Sequence, residues 1–459
     1  MELPLVEVRR YSKSLDYDAI VTFEAYTKEA QEALERKLNT AKDDFMLYEA
    51  IRKGESFLVK PEKVSISWKY NNIILSTDSR VFILPLDDEL VELFTDKEAG
   101  SYYFELKVNK VIPKGEKKAY FMSDIEAVYQ AEYDYDTAKE LLKQFKPWEL
   151  LCYAVGYKAD IKHFATRFAL FSSLFTLNDQ AIHTVTFTNP RTGKSRCAKM
   201  LMGLAKAYVT PFPTPAKLIY DSRKFSYGLC YFYDHLYIDE FDKVYSSRRR
   251  DSFKDSYEVL LDGMANGIWQ RETTSKDYVN LVNFCFMGNI EQDSLNSYDL
   301  TAYSSNSRDR LREYVAQIGV NPEPFLDRIH YVEYIKDAPI AKAMLNYSES
   351  NNVLFLKPSV SRSIIKLLQD QCLTKDIARR ASSLIDDFFN AIKAVIETLQ
   401  IEGLDDYTIE KLVKGELSLY DIVKGDKLIE KENQAEDVKV EEFDMTVYLE
   451  GDKDGVERA

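Results

Sequence analysis

The chain has 459 residues, 45% of them hydrophobic and 13% aromatic, and a net charge of −14. That length supports two or three domains with sizeable cores, and 31 Tyr and 25 Phe argue against extended disorder. No apolar run approaches the roughly 18 residues of a membrane span and no charged-apolar-small leader is present, so the chain is expected in the cytoplasm, away from membranes.

Taken in order, Lys28 to Lys53 has helical spacing, with Ala33, Leu34, Leu38, Ala41 and Phe45 near one face. Short strands follow at Val64 to Trp68, Asn72 to Ser76, Val81 to Leu84, Tyr102 to Val108 and Lys118 to Met122, separated by turn residues such as Asn71-Asn72 and Pro113-Lys114-Gly115. Residues 1–130 are therefore expected to form an α+β module. Residues 131–180 turn helical, at Thr137 to Phe145, from Pro147-Trp148, and over Ile161 to Leu177.

A core is expected over residues 181–336. The apolar run Ile182 to Phe187 leads into Thr188-Asn189-Pro190-Arg191-Thr192-Gly193-Lys194-Ser195, and a helix-forming run, Arg196 to Ala205, follows. Strand, loop and helix in this order can cradle a triphosphate: backbone N–H groups face the β-phosphate, Lys194 reaches the β- and γ-oxygens, and the Ser195 hydroxyl holds Mg²⁺. The nucleotide-binding candidates run from Asn189 through Arg196, and the cofactors they imply are ATP and Mg²⁺. Thr188 stands where such loops usually begin with Gly.

Leu236-Tyr237-Ile238-Asp239-Glu240 reads as a buried parallel strand ending in two acids, about 45 residues after Lys194, with a further strand possible around Ala216 to Tyr220. Asp239 suits the Mg²⁺ shell and Glu240 the polarisation of water. Another strand, Leu281 to Met287, ends in Gly288-Asn289, where the Asn289 amide can face the γ-phosphate and the attacking water. Arg328 precedes the apolar strand Tyr331 to Ile335, where a ring-forming ATPase places the arginine finger it lends to a neighbouring subunit.

Together these segments resemble the AAA+ ATPase superfamily. Ile238-Asp239-Glu240-Phe241-Asp242-Lys243 is similar to the Walker B region of minichromosome maintenance helicases. The loop itself, Met264-Ala265-Asn266-Gly267, Phe286-Met287-Gly288-Asn289-Ile290 and Phe325-Leu326-Asp327-Arg328-Ile329-His330 resemble the ATPase core of BrxL, the Lon-like factor of BREX phage defence. The resemblance covers roughly Thr137 to Val395. It implies an α/β AAA+ core, a parallel sheet flanked by helices, and a helical lid within residues 337–424 whose Arg379 or Arg380 reaches the γ-phosphate as a second sensor. The module in front would correspond to a DNA-engaging collar, and the chain would assemble as a homo-oligomeric ring, expected to be hexameric. The Lon-like protease domain that follows the core in BrxL is not expected here, since about 60 residues remain after the lid helices.

Lid helices are expected over Ala338 to Thr398, starting at Pro339 and Pro358, with two short helices in Leu404 to Val423. Residues 425–459 read as an acidic tail: Asp426 to Ala459 hold 12 acids and 5 bases, which makes −7 and accounts for half of the net charge. The tail is either a solubilising end or a competitor for a basic channel. The five cysteines lack metal or disulfide spacing and read as small buried hydrophobes.

Bases cluster at Arg248-Arg249-Arg250, which are candidate DNA contacts, and at Arg308, Arg310 and Arg312. Gly267 to Lys276 can form a hairpin, and by resemblance to the helicases Arg271 and Lys276 would line a DNA-binding pore with Trp269 at its base; a solvated turn is the alternative. Two functions of different class remain open: an ATP-driven DNA translocase or helicase, and a chaperone-like protein remodeller. High Tyr, Lys and Ile with few Gln suggests a thermophilic source, an archaeon or its virus or plasmid.

Overall fold

The computed structural model describes residues 3–8, 36–38, 40–41, 43–59, 61, 63–77, 80–95, 102–114, 118–130, 133–177, 180–221, 226–244, 247–270, 277–290, 306–351, 353–374 and 384–425. At its centre is a sheet of five parallel strands: β1 (Thr184–Thr188), β2 (Ala207–Pro211), β3 (His235–Asp239), β4 (Asn283–Asn289) and β5 (Tyr331–Ile335). Their order in space is β2-β3-β4-β1-β5, so the loop strand sits between the strand that ends in Asn289 and the strand that follows Arg328. Parallel strands covered on both faces must be apolar throughout, and β1, β4 and β5 are buried over almost all of their length. The α/β fold class read from the sequence is the one observed.

One strand was misplaced by the sequence reading. Ala216 to Tyr220 is mostly a short helix, Pro215–Leu218, and the strand between loop and acids is instead β2. Pro215 opens that helix, where its missing N–H costs nothing, and Thr214 caps it by accepting from the Lys217 N–H.

Helices close both faces. The helix α1 (Lys194–Leu204) packs its Cys197, Ala198, Leu201 and Leu204 stripe into the larger core, with α2 (Ser247–Asn266) and α3 (Ser307–Ile318) on the other face. The lead-in is two longer helices, Tyr135–Leu142 and Pro147–Ala154, then two short ones, Ile161–Ala165 and Phe168–Ser172. Ile161 to Leu177 is therefore not one helix: Thr166 caps one turn and Arg167 begins the next.

The lid also departs from a continuous helical run. Between Pro339 and Pro358 only Ala341–Met344 is helical among the described residues, and Val353–Leu356 is a strand that pairs antiparallel with Leu5–Val8. Its four apolar residues are half β-branched or aromatic and prefer a pleated surface to a helix. Helices α4 (Pro358–Leu373), α5 (Leu384–Thr398), Asp406–Lys414 and Leu419–Lys424 complete the lid.

The front module is a sheet of eight strands flanked by helices such as Asp44–Lys53 and Asp88–Thr95. The long hairpin Tyr102–Lys114 and Lys118–Gln130 extends well beyond the sequence expectation for either strand. Two of the eight strands, Tyr220–Asp221 and Ser226–Tyr227, come from the ATPase segment and pair onto Lys63–Ser67. Front module and core are thus joined by backbone hydrogen bonds as well as by sequence. No helix among the described residues is long and apolar enough to cross a membrane.

Candidate functional site

The loop leaves β1 at Thr188, still in register with Asn289 and Ile335, so an extended backbone suffices there and Gly is not required. The left-handed positions lie further on, at Arg191 with φ of 65° and Gly193 with φ of 85°. At Gly193 a side chain is barred twice over, since a Cβ would also lie 2.7 Å from that of Ala341. Gly193 caps α1, which leaves the first N–H groups of the helix at the concave side of the loop.

Thr188 has a role the sequence did not suggest. Its hydroxyl accepts from the Lys194 ammonium at 2.6 Å and shares a hydrogen bond of 2.7 Å with the Thr192 hydroxyl. Lys194 also donates to the Asn289 side-chain oxygen at 3.2 Å, which brings the ends of β1 and β4 together on one cation. Burial, with Arg167 as the next cause, pushes the Lys194 ammonium down to about 7. A buried ammonium held by a hydroxyl, an amide and, at 3.4 Å, the Thr188 carbonyl, all neutral acceptors, is suited to an anion, which would restore its charged form.

The acids sit at the end of β3. Asp239 accepts from the Glu240 N–H at 2.9 Å, and Glu240 has a left-handed backbone with φ of 54°. Its carboxylate is held by Lys243 at 2.5 Å and Arg249 at 2.7 Å, and these two partners lower it below the usual carboxylate range. Asp242, which the sequence reading quoted but gave no role, is buried and accepts from the Asn289 N–H at 2.9 Å. Desolvation raises its carboxyl. A second acid two residues after Glu240 was the available signal.

No group of three or more His, Cys, Asp or Glu among the described residues is placed to hold a metal by itself. A Mg²⁺ here would rest on Ser195, Asp239 and phosphate oxygens, the sparse protein ligation usual for this ion. The donor set fits a Mg-nucleotide.

The other candidates divide. Arg328 lies at the amino end of β5, its guanidinium donating to the carbonyls of Leu261 at 2.7 Å and Pro324 at 2.5 Å. With the strand rising ~3.3 Å per residue, about 13 Å or more separates it along the sheet from the loop of its own chain. Arg249 is on Glu240, and Arg250 donates to the Ile318 carbonyl at 2.8 Å, so neither contributes to an uncommitted basic face. The Arg248 side chain, Arg271, Lys276, Arg379, Arg380 and the acidic tail lie outside the described residues. Arg308 is half-buried and donates to the carbonyls of Val413, Leu326, Ile329 and His330, and Arg310 stacks over Tyr334. Both are structural, which removes them from the basic cluster.

The hairpin expected before β4 is present as Ile268–Gln270 paired with Asp277–Val279. Trp269 is fully buried at its base, donates to the Asn280 carbonyl at 2.8 Å, and lies so close to Gly263 that no Cβ would fit there.

Residues 120–355 match the family described as Lon-like protease BrxL-like, ATPase domain. The chain belongs to this family. The match opens ahead of the lead-in helices and ends before α4, so it includes the loop, the acids, Asn289 and Arg328 but not the lid arginines. Among curated proteins, this BrxL-like ATPase is 28% identical over 152 residues to the uncharacterized protein ORF425 of Acidianus filamentous virus 2, covering 32% of the chain and 34% of that protein. It is 26% identical over 283 residues to the uncharacterized protein 440 of Sulfolobus islandicus rod-shaped virus 1, covering 57% and 58%. The chain thus spans between about a third and three fifths of those relatives. A full-length MCM homolog from Methanopyrus kandleri aligns with a TM-score of 0.38 at 11% identity, over 78% of this chain and 70% of that one.

Proposed function

We propose that the protein is an ATP-driven, ring-forming motor, expected to be hexameric, that acts on DNA as a translocase or helicase. The observation that carries this reading is the meeting of Lys194, Asn289 and Asp242 at the carboxyl ends of neighbouring parallel strands. In this reading Lys194 exchanges the Thr188 hydroxyl for β- and γ-phosphate oxygens, and Asn289, braced by Asp242, orients the attacking water. Glu240 leaves Lys243 and Arg249 to accept the proton of that water. Ser195 and Asp239 hold Mg²⁺, which neutralises charge on the phosphate oxygens.

Arg328 stands too far along the sheet to serve its own loop, and this supports a finger lent to the next subunit of a ring. Arg379 or Arg380 would act from the lid. Hairpin residues Arg271 and Lys276 are the proposed DNA contacts, with Arg248 as a further candidate and the front module as a collar. Composition and the two viral relatives favour a source among archaeal viruses. A protein remodeller is the second reading, favoured by the commitment of Arg249, Arg250 and Arg308 to partners within the chain.

ATPase turnover decides between them. Stimulation severalfold by duplex DNA, weakening with salt at a log-log slope of about −0.9 per phosphate contacted, is expected. Stimulation by unfolded polypeptide alone would favour remodelling. Glu240→Gln should bind ATP as the parent does while turnover falls at least ~100-fold, the scale of a lost general base; undiminished turnover would remove Glu240 from its role.

A further inference from the structure

Three successive carbonyls of the phosphate loop are each taken by a donor from outside it. The Ala341 N–H donates to the Arg191 carbonyl at 3.0 Å, the Arg167 guanidinium to the Thr192 carbonyl, and the Tyr157 hydroxyl to the Gly193 carbonyl at 3.3 Å. In a planar trans peptide the C=O of one residue and the N–H of the next point in opposite directions. Holding those carbonyls outward therefore turns the N–H groups of Thr192, Gly193 and Lys194 toward the inside of the loop, the arrangement that binds an anion.

Two of the donors are built for this. Arg167 and Tyr157 are both essentially buried, and the Arg167 guanidinium lies 5.8 Å from the centre of the Tyr157 ring. A second nitrogen of Arg167 donates to the Thr166 carbonyl at 2.6 Å, while its Nε has no partner among the described residues. Glu333 on β5 is the acid on which Arg167 acts, and it too is fully buried. Burying a guanidinium beneath a loop costs free energy that an apolar side chain would not, so its position calls for a purpose. Tyr157 and Ala341 are further linked, because Tyr157 bridges Leu345 and the Lys158 N–H donates to the Met344 carbonyl at 2.9 Å.

We propose that Arg167 and Tyr157 are positioning residues of the nucleotide site, which act through the loop carbonyls to preorganise it for a di- or triphosphate and never touch the ligand. The inference rests on the nucleotide-hydrolysing reading above. It predicts a change in nucleotide affinity that is separable from fold stability.

The test measures the Kd of a non-hydrolysable ATP analogue with Mg²⁺, alongside the Tm without nucleotide, in the full chain. Tyr157→Phe removes only the hydroxyl and should weaken binding about fivefold with Tm unchanged, the scale of one hydrogen bond. Arg167→Met should weaken binding about tenfold or more, and Arg167→Lys should recover part of the loss. Parent-like Kd values for Tyr157→Phe and Arg167→Met, with Lys194→Ala abolishing binding, would overturn this inference alone. Should the Arg167 variants fail to fold, Tyr157→Phe decides the matter. Absence of binding by the parent chain would instead sink the nucleotide reading itself.

Discussion

Nucleotide binding just above neutral pH should draw close to one proton from solution, and Lys194 is the group that takes it up. Burial first, and Arg167 second, hold its ammonium at about 7, against 10.5 for a free lysine side chain. Because the folded value lies below the unfolded one, the unfolded chain binds more protons between the two. Stability without nucleotide therefore rises with pH across that window, and the cost of the buried ammonium is fully present below it. At about pH 8 the free site carries roughly 0.1 proton on Lys194, and a phosphate beside it favours the charged form. Recovery of the ordinary lysine value would take up about 0.9 proton per site, and the change in environment is worth at most ~5 kcal/mol. Calorimetric titration of a non-hydrolysable analogue with Mg²⁺, in phosphate and in Tris at about pH 8, reads this uptake from the difference in apparent enthalpy. Uptake should fall to about 0.1 proton near pH 6, where Lys194 is already charged. Binding at about pH 8 with no proton taken up would show Lys194 charged in the free protein, and the reasoning from its burial would fail.

Three charged residues away from the phosphate loop carry further expected outcomes. Glu333 is pushed up to about 7 by burial, so the stability it contributes is present below the ordinary carboxylate value and lost as pH rises through about 7. Glu333→Gln should therefore unfold in urea up to ~3 kcal/mol less readily than the parent at about pH 8, and equally near pH 4; no gain at the higher pH would mean that the carboxylate is charged and paired with Arg167. Arg308→Ala leaves the carbonyls of Val413, Leu326, Ile329 and His330 without their shared donor and should cost about 3 kcal/mol in urea unfolding, the lid releasing first; unchanged protection of Asp406–Lys414 in hydrogen exchange would contradict that order. Arg328→Ala should hydrolyse at least ~100-fold slower, with activity partly restored by mixing with Lys194→Ala subunits, whereas no restoration at any ratio would assign Arg328 to its own subunit.

What could be read from the residues was whatever local rules dictate. β-Branched and aromatic Thr184 to Thr188 before Pro190 and Gly193, and Leu236 to Ile238 before two acids, specify strand, loop and strand end without reference to the rest of the chain. The helix starts at Pro147 and Pro358 were legible for the same reason, since Pro is free of cost at a first helical position. The order β2-β3-β4-β1-β5, by contrast, is a property of packing. So is the placing of Tyr220–Asp221 and Ser226–Tyr227 in the sheet of the front module, which no periodicity in so short a segment can announce.

The site divides along the same line. Asp239, Glu240 and Asn289 were named because each stands at the end of a strand with a recognisable apolar run, and Lys194 because its loop joins such a strand to a helix; parallel strands deliver their carboxyl ends to one edge. Arg167, Tyr157 and Asp242 were not, although an arginine between Phe164 and Phe171 was an anomaly worth noticing. Their roles depend on contacts with residues 25, 36 and 47 positions away, to Thr192, Gly193 and Asn289. The sequence by itself determined which residues come to the edge where a phosphate is proposed to sit; only the tertiary structure decided what holds them there, because hydrogen bonds to a loop from distant segments exist only once the chain has packed.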